Sequence, residues 1–368
     1  MNNVTPWYEQ AGPQSDTVIS SRIRLARNLS NRKFPNRLSD TELQEVSEKL
    51  AERFFAANEH MRDEFTDVQI SELSEEEGKA YVEKHLISDE LLERPTASRV
   101  LLSKDRHISI MLGEEDHMRI QSMRAGLDLL TAYEEAVQIA RIFEEMTPIA
   151  WHDDYGFLTA CPTNTGTGLR ASLMVHLPLL TDAKLIPQTV QSLQKLGLTV
   201  RGAYGEGSKA QGAIYQISNQ MTLGFSEEDL IADLSRVTAQ VLAREKDLRA
   251  KTYESQPLLM EDKVYRALAL LRNSRRMSSD EAMNLISDVR LGVDLGMITD
   301  VEPRTLNQLM SNVGKASVAD RFHVDEGKLT GQEARARYIR ETLAAVADDL
   351  PEETTDNDKQ DSDKRSTE

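Results

Sequence analysis

Four short segments of the chain combine arginine with small, apolar or acidic residues: SSRIR at 20–24, EEDHMRI at 114–120, LRAS at 169–172 and VRGAYGE at 200–206. Arginine is permanently charged, and its planar fork of five donors suits phosphate oxygens. In an alternating strand Arg22 and Arg24 point to the same face, where both could reach one polyphosphate. The set therefore indicates a site for a phosphate-rich ligand. The alternative is that each arginine is a surface residue or the partner of one of the 61 acidic side chains.

A turn of small residues, CPTNTGTG at 161–168, lies just before Arg170. Glycine and hydroxyl residues let backbone N–H groups approach an anion closely, although such a turn on its own is usually only a turn. Cys161 is the single cysteine, which excludes an internal disulfide framework and a zinc site of several thiolates. The sequence also lacks a G-x-x-x-x-G-K-S/T loop, the H-R-D and D-F-G motifs of protein kinases, and H-E-x-x-H. A nucleotide would therefore be bound by another route.

The hydrophobic pattern predicts the elements that must position these segments. Strands are predicted over 17–25, 99–103, 108–112, 157–162, 170–178, from 198 onward, and over 212–219. Helices are predicted after the capping boxes at 39–42 and 278–281, after Ser226, over 71–84 and 126–146, and between Pro187 and Gly197. The arginine segments thus fall at strands or strand ends.

Composition limits the class of protein. The chain has 368 residues, 39% of them hydrophobic, and a net charge of −17. This charge opposes direct binding to nucleic acid and a polybasic membrane anchor, and no apolar run approaches the roughly 18 residues of a membrane span. The first residues do not form a secretory signal, so a cytoplasmic protein is predicted. The predicted organisation is an extended segment over 1–19, an α+β domain over 20–250, a helical domain over 255–345 and an acidic disordered tail over 348–368.

The order and spacing of SSRIR, EEDHMRI, CPTNTGT and LRAS resemble the catalytic domain of phosphagen (guanidino) kinases over roughly residues 15–250. Within that superfamily the chain is most similar to the bacterial protein-arginine kinases, because of its RGAYGEGS loop, its short N-terminal segment and its helical C-terminal extension. The resemblance implies an α+β fold, with a large antiparallel sheet flanked by helices, followed by a small all-helical domain. It also implies transfer of the γ-phosphoryl group of ATP, with Mg²⁺, to a guanidinium nitrogen.

The resemblance assigns roles to individual residues. It implies that Glu115 is the catalytic carboxylate, that Glu206 is a second guanidinium anchor, and that Cys161 lies beside the guanidinium group. A carboxylate in bidentate contact could both orient a guanidinium group and take its proton. For Cys161 the alternative is a buried, inert thiol. The implied ATP-binding residues are Ser20, Ser21, Arg22, Ile23, Arg24, His85, Arg119, Arg170, Ala171, Ser172, Leu173, Met174, Arg201, Gly202, Ala203, Tyr204, Gly205 and Glu206. No protein ligand to a metal is predicted.

The short N-terminal segment bears on the substrate. Small-guanidine kinases have a further helical domain before this motif, and a site without that domain would be open enough for an arginine side chain on a protein. Two alternatives remain: a small-guanidine kinase acting on free arginine, and a mainly non-catalytic adaptor for a protease system. The resemblance further implies a homodimer, a role in stress response and protein quality control, and three partners: a zinc-binding activator protein, a stress-response repressor and a AAA+ protease. A C-terminal phosphoarginine pocket is not predicted, because only Arg335-Ala336 of its motif is present.

Overall fold

The computed structural model describes residues 5–58, 60–202, 211–323 and 330–348. The strands are β1 Val18–Arg27, β2 Phe65–Gln69, β3 Arg99–Ser103, β4 Ile108–Leu112, β5 Met118–Ala125, β6 Trp151–His152, β7 Gly156–Phe157, β8 Leu169–His176, β9 Leu198–Gly202 and β10 Ile214–Asn219. Within those residues, eight strands form one sheet in the order β2-β3-β4-β5-β1-β8-β10-β9, and β6 pairs with β7 in a separate hairpin. Every neighbouring pair is antiparallel. The predicted large antiparallel sheet is confirmed.

Helices flank the sheet and then follow it in the chain. They are α1 Asp40–Ala57, α2 His60–Glu64, α3 Glu75–Glu83, α4 Leu129–Met146, α5 Pro178–Asp182, α6 Ile186–Gln194, α7 Glu227–Ser255, α8 Pro257–Asn273, α9 Ser279–Asp294, α10 Pro303–Asn312, α11 Lys315–Phe322 and α12 Gly331–Asp348. The capping boxes predicted for α1 and α9 are both present. No helix in the described ranges is long and apolar enough to cross a membrane.

The alternation along the strands gives the sheet one apolar and one polar face. Ile23 and Leu25 of β1 are fully buried in the main core, which α1, α4 and α7 cover. Arg22 and Arg24 are one residue out of phase and project from the opposite face. Because side chains alternate with a period of two, burial of Ile23 and Leu25 determines the direction of both arginines.

Two groups of elements cover parts of the polar face. Residues 70–92 pack on β3 and β4 as a small apolar layer. The helices after α7 form a second core that takes in Ile19, Met174 and Ile214 from the strands. The two coverings meet near His85, and beside them the strands that carry the arginine segments leave a recessed polar surface.

One predicted strand is wrong. The sequence predicts a strand over 157–162, but β7 ends at Phe157 and the following residues form a loop. The backbone N–H of Ala160 donates to Asp116 Oδ1 at 2.7 Å, and that of Leu158 donates to the carbonyl oxygen of Ala150 at 3.0 Å. Pro162 has no N–H group to donate. These N–H groups thus bond to Asp116 and Ala150, and the segment does not join the sheet.

Two predicted helices begin later than expected. The helix predicted from 71 starts at Glu75, because Ser74 forms a capping box with Glu77. The helix predicted from 126 starts at Leu129. Gly126 precedes it with a φ of +68°, and a Cβ there would lie 2.3 Å from the carbonyl oxygen of Pro13. A glycine is needed at this close approach, and it separates β5 from α4.

The N-terminal segment lies in the seam between the sheet and the C-terminal helices. The backbone N–H of Trp7 donates to the carbonyl oxygen of Asp105, beyond β3, at 3.1 Å. Asn307 Nδ2 of α10 donates to the carbonyl oxygen of Gln10 at 2.5 Å. The segment is therefore held from both sides, and it includes one 3-10 turn over Trp7–Glu9. The predicted tail beyond Asp348 lies outside the described residues.

A buried polar network also joins α7 to the sheet and to the C-terminal helices. Arg249 of α7 donates to Glu245 at 2.9 Å, to Asp294 of α9 at 3.0 Å, and to the carbonyl oxygen of His176 at 2.9 Å. Glu245 accepts the backbone N–H groups at 179–180. These buried groups thereby satisfy one another and keep α9 against the end of β8.

Glu83, the last residue of α3, caps a helix of the C-terminal region. Its carboxylate accepts the backbone N–H groups of Ala316 and Ser317 in α11, at 2.9 and 2.8 Å. The first N–H groups of a helix have no partner within it, and the helix dipole favours a negative charge there. The contact therefore attaches α11 to the layer that covers one end of the sheet.

We expect Glu83→Ala to destabilise the protein by about 1–2 kcal/mol, because the first turn of α11 loses its cap. Urea unfolding measures the loss, and hydrogen exchange in 315–322 should increase. Glu75→Ala is the matched control, since Glu75 pairs with the exposed Lys79 on α3. Equal exchange of α11 in both variants would contradict the capping role.

Candidate active site

The arginines of the predicted phosphate site meet on the open face of the sheet. Arg24 of β1 lies directly opposite Arg170 of β8, and Arg22 is two residues earlier on the same face. Arg119 comes from β5 and Arg201 from β9. Arg24, Arg119, Arg170 and Arg201 line one cleft of about 800 Å³. Arg22 lies beside it, where the charges of Arg170 and Arg119 lower its pKa further. We call this surface the arginine floor.

Like charges are crowded in the arginine floor. The pKa of Arg22 is lowered to about 10, first by burial and then by Arg170 and Arg119. Burial, followed by the charges of Arg22, Arg119 and Arg170, also lowers the pKa of Arg24. Guanidinium groups stay protonated in proteins, so the repulsion is relieved when an anion binds rather than by loss of a proton. The floor is thus suited to a ligand with several negative charges.

Neutral side chains of the neighbouring strands orient Arg22. Its Nε donates to Ser172 Oγ of β8 at 3.2 Å, and its Nη2 donates to Gln216 Oε1 of β10 at 2.9 Å. Ser172 was among the predicted residues, whereas Gln216 was not. Gln216 could have been found only from its position on the side of β10 that faces the site. That position becomes known once the pairing of β10 with β8 is known.

An acidic pair lies at one edge of the arginine floor. Arg119 donates to Glu114 Oε1 at 2.6 Å and to Glu115 Oε2 at 2.9 Å. Burial acts to lower the pKa of Arg119, but the nearby carboxylates, Glu114 first, raise it above its usual range. The Glu114 side chain is fully buried and also accepts from Ser88, whereas the Glu115 side chain is 40% exposed. Glu115 is therefore the member of the pair that can meet a ligand.

Asp116 joins the segment of Glu115 to the segment of Cys161. Asp116 is fully buried, and its Oδ1 accepts from Asn28 Nδ2 at 2.6 Å as well as from the N–H of Ala160. Cys161 is half-buried and lines the same cleft as Glu115. Sequence reasoning missed Asp116, although it follows Glu115 in the quoted motif. Its role depends on the loop at 158–161, whose position the sequence does not show.

His85 comes from the covering layer rather than from the sheet. It follows α3 in a left-handed conformation with a φ of +56°. Burial, followed by the charges of Arg22 and Arg24, lowers its pKa to about 3, so its ring is neutral near pH 7. Its carbonyl oxygen accepts from Gln121 Nε2 of β5 at 2.8 Å. His85 is thereby placed beside the arginine floor.

The structure does not bring every predicted side chain to the cleft. Ile23, Ala171 and Leu173 alternate with the site-facing residues and lie in the main core on the other face. Ser21 also faces away and donates to the carbonyl oxygen of Gly126 at 2.8 Å.

Three other predicted residues were placed differently. Ser20 is buried on the same face as Arg22, Met174 belongs to the second core, and Gly202 ends β9. Ala203, Tyr204, Gly205 and Glu206 lie outside the described residues, so their roles stay predictions.

The side chains of the cleft decide whether Mg²⁺ fits this site. In the described ranges, no group of three or more His, Cys, Asp and Glu side chains is placed to hold a metal ion. Mg²⁺ usually keeps several waters and is bound by substrate phosphates with one or two carboxylates, so it needs no protein cage. Of the two carboxylates that line the cleft beside Arg119, Glu115 has the exposed side chain. The site thus fits Mg²⁺ delivered with a nucleotide.

Comparison with known families gives the class of protein. Residues 45–248 match the family model described as "ATP:guanido phosphotransferase, C-terminal catalytic domain". The chain therefore belongs to this family of ATP-dependent kinases. Residues 257–358 match a second model, "Protein-arginine kinase McsB C-terminal domain".

Individual relatives agree with these matches. The chain is 41% identical to the protein-arginine kinase of Clostridium acetobutylicum over 92% of this chain and 99% of that protein. It is 46% identical to the protein-arginine kinase of Bacillus mycoides over 83% of this chain and 86% of that protein. Among solved structures it is similar to the duplicated taurocyamine kinase of Schistosoma mansoni, with a TM-score of 0.58 and 26% identity over 65% of this chain and 35% of that one. A lombricine kinase has the same fold, with a TM-score of 0.56 and 24% identity over 68% of this chain and 74% of that one.

We expect Arg24→Met to stabilise the ligand-free protein by about 1 kcal/mol, because it removes one charge from a crowded floor. The same change should weaken ATP binding by about tenfold or more, since a charge-assisted contact is lost. Thermal unfolding with and without ATP measures both effects. Arg304→Met is the control, because Arg304 is exposed and far along the chain in α10. A variant with lower stability and unchanged ATP affinity would refute the role of the floor.

We expect Asp116→Ala to slow phosphoryl transfer while leaving the Kd for ATP unchanged. The change leaves the buried N–H of Ala160 without its acceptor, at a cost of about 1–3 kcal/mol, and frees the Cys161 loop from the Glu115 loop. Asp116→Asn keeps an acceptor oxygen and should recover part of the rate. Turnover assays and calorimetric titration with ATP separate the two effects. A parallel loss of ATP affinity in Asp116→Ala would argue against a positioning role.

Proposed function

We propose that this chain transfers the γ-phosphoryl group of ATP to a guanidinium nitrogen of arginine side chains in proteins. The observation that carries the proposal is the place of Glu115, which bonds Arg119 at the edge of the arginine floor and is exposed to the cleft. The protein-arginine kinases to which the chain is similar over most of its length support the choice of acceptor.

The arginine floor would hold the triphosphate. Phosphoryl transfer passes through a loose transition state, so positioning and charge neutralisation supply most of the acceleration. Arg22, Arg24, Arg119, Arg170 and Arg201 would place fixed positive charge under the phosphate oxygens. Mg²⁺, when bound with ATP, would neutralise further charge on the phosphates. His85, beside Arg22, would lie toward the nucleoside.

Glu115 would prepare the acceptor. A guanidinium group has no free lone pair to attack with, so one nitrogen must lose a proton as its bond to phosphorus forms. Glu115 would orient the fork and take that proton, while the bond from phosphorus to the ADP oxygen breaks. Glu206 would provide a second anchor for the guanidinium group. Cys161, on the same cleft, would contact it from the side.

The catalytic region and the C-terminal helical region would have different roles. In this proposal residues 20–250 carry catalysis, and residues 255–345 serve dimerisation and the binding of regulators or substrates. The predicted partners rest on the family resemblance: a zinc-binding activator, a stress-response repressor and a AAA+ protease. A cytoplasmic location and a role in stress response are part of the same proposal.

We expect Glu115→Gln to lower arginine phosphorylation by about a hundredfold or more, because the amide cannot accept the proton. ATP affinity should stay within about twofold, since in this proposal Glu115 acts on the acceptor while the arginine floor holds the phosphates. The assay is incubation with ATP and casein, followed by mass spectrometry at neutral pH, where the acid-labile phosphoarginine survives. Glu75→Gln, an exposed change on α3, is the control.

Three other results would point away from this function. Phosphate found only on serine, threonine or tyrosine would contradict the proposal. Rapid and reversible ATP consumption with free L-arginine would favour a small-guanidine kinase instead. Full biological activity of Glu115→Gln would favour the adaptor.

A further inference from the structure

A group of large apolar side chains is exposed near the cleft. Trp151, Tyr155, Met221, Leu223 and Phe225 are each between 45 and 55% exposed. Single exposed apolar residues are common, but a contiguous group on a protein surface usually marks an interaction site. We call this group the apolar rim.

Hydrogen bonds hold the three loops that carry the apolar rim side by side. The N–H of Phe157 donates to the carbonyl oxygen of Gly166 at 2.8 Å, which joins the β6–β7 hairpin to the loop at 161–168. Thr222 Oγ1 donates to the carbonyl oxygens of Thr163 and Thr165, at 3.0 and 2.7 Å. The loop at 220–225 is thus attached to the other side of the same segment.

The central loop of the three also forms a wall of the active-site cleft. Cys161, Thr163 and Asn164 line the cleft, as does Gln220, which directly precedes the rim residue Met221. The rim therefore begins where the wall that carries Cys161 ends. Other residues that line the cleft are charged and include Glu90, Glu93 and Arg94.

The reach of a substrate links the rim to the reaction. A guanidinium group that meets Glu115 brings the backbone that bears it to the mouth of the cleft. In an extended chain successive residues are about 3.4 Å apart, so side chains two positions from the arginine lie roughly 7 Å along the surface. The flanking residues of a bound segment therefore fall on the loops that surround the cleft.

We propose that the apolar rim binds apolar side chains that flank the target arginine in an extended segment of the protein substrate. The inference rests on the proposed function for the identity of the central arginine. An apolar occupant follows from the chemistry of the rim, since burying apolar surface from both partners is favourable. The rim directly adjoins the cleft wall that carries Cys161. This position favours a protein substrate over a second copy of the chain, because dimerisation does not require a surface next to the active site.

The test uses two extended peptides that differ only around one arginine. One carries leucine or phenylalanine two residues on either side, and the other carries serine there. We expect the unmodified protein to prefer the apolar peptide by about tenfold in kcat/KM, and Leu223→Ser/Phe225→Ser to lose that preference. Activity of this variant on the serine peptide should stay unchanged. Leu130→Ser is the matched control, because Leu130 is 67% exposed on α4, which packs on the other face of the sheet.

Three outcomes would overturn the inference. The first is an equal kcat/KM for both peptides in the unmodified protein. The second is a preference for the apolar peptide that survives in Leu223→Ser/Phe225→Ser. The third is a change of oligomeric state, measured by sedimentation, that by itself explains the lost preference. Fluorescence anisotropy of the labelled peptides with ADP present measures their binding independently of chemistry. If neither peptide is phosphorylated but the apolar one binds through the rim, the proposed function fails and the docking inference stands.

Discussion

The site depends on holding several guanidinium groups close together on one face of a sheet. Burial, followed by the charges of neighbouring arginines, lowers the pKa of Arg22 and Arg24, so a rigid support is needed to hold them together without an anion. The support is the main core, which fixes β1 through Ile23 and Leu25 on the opposite face. In the proposed function, such a floor would be preorganised for the phosphates of ATP.

The two coverings of the polar face give the cleft its depth and its asymmetry. One layer brings His85 and Ser88 to the floor, and the C-terminal helices cover the part of the polar face around Met174. The capping of α11 by Glu83 joins these coverings directly.

Much of the fold and part of the site can be predicted from local sequence. The predicted hairpin at 99–112 and the capping boxes of α1 and α9 agree with the structure, because their signals lie within a few residues. The strand predicted over 157–162 fails, because its backbone is bonded to Asp116 from a distant segment. Gln216 and Asp116 were missed for the same reason: each acts through strand pairing or a loop contact that local pattern does not contain.

The sequence by itself determined which reactive groups are present. They are two arginines on one face of a strand, an acidic pair four and five residues before Arg119, and the thiol of a single cysteine. These follow from residue type and from the period of a strand. Only the tertiary structure decided that Glu115 is exposed while Glu114 is buried, and that the Cys161 loop, which lines the cleft, is bonded to the loops that carry the apolar rim. Exposure and neighbourhood arise from contacts between residues far apart in the chain, so no local pattern specifies them.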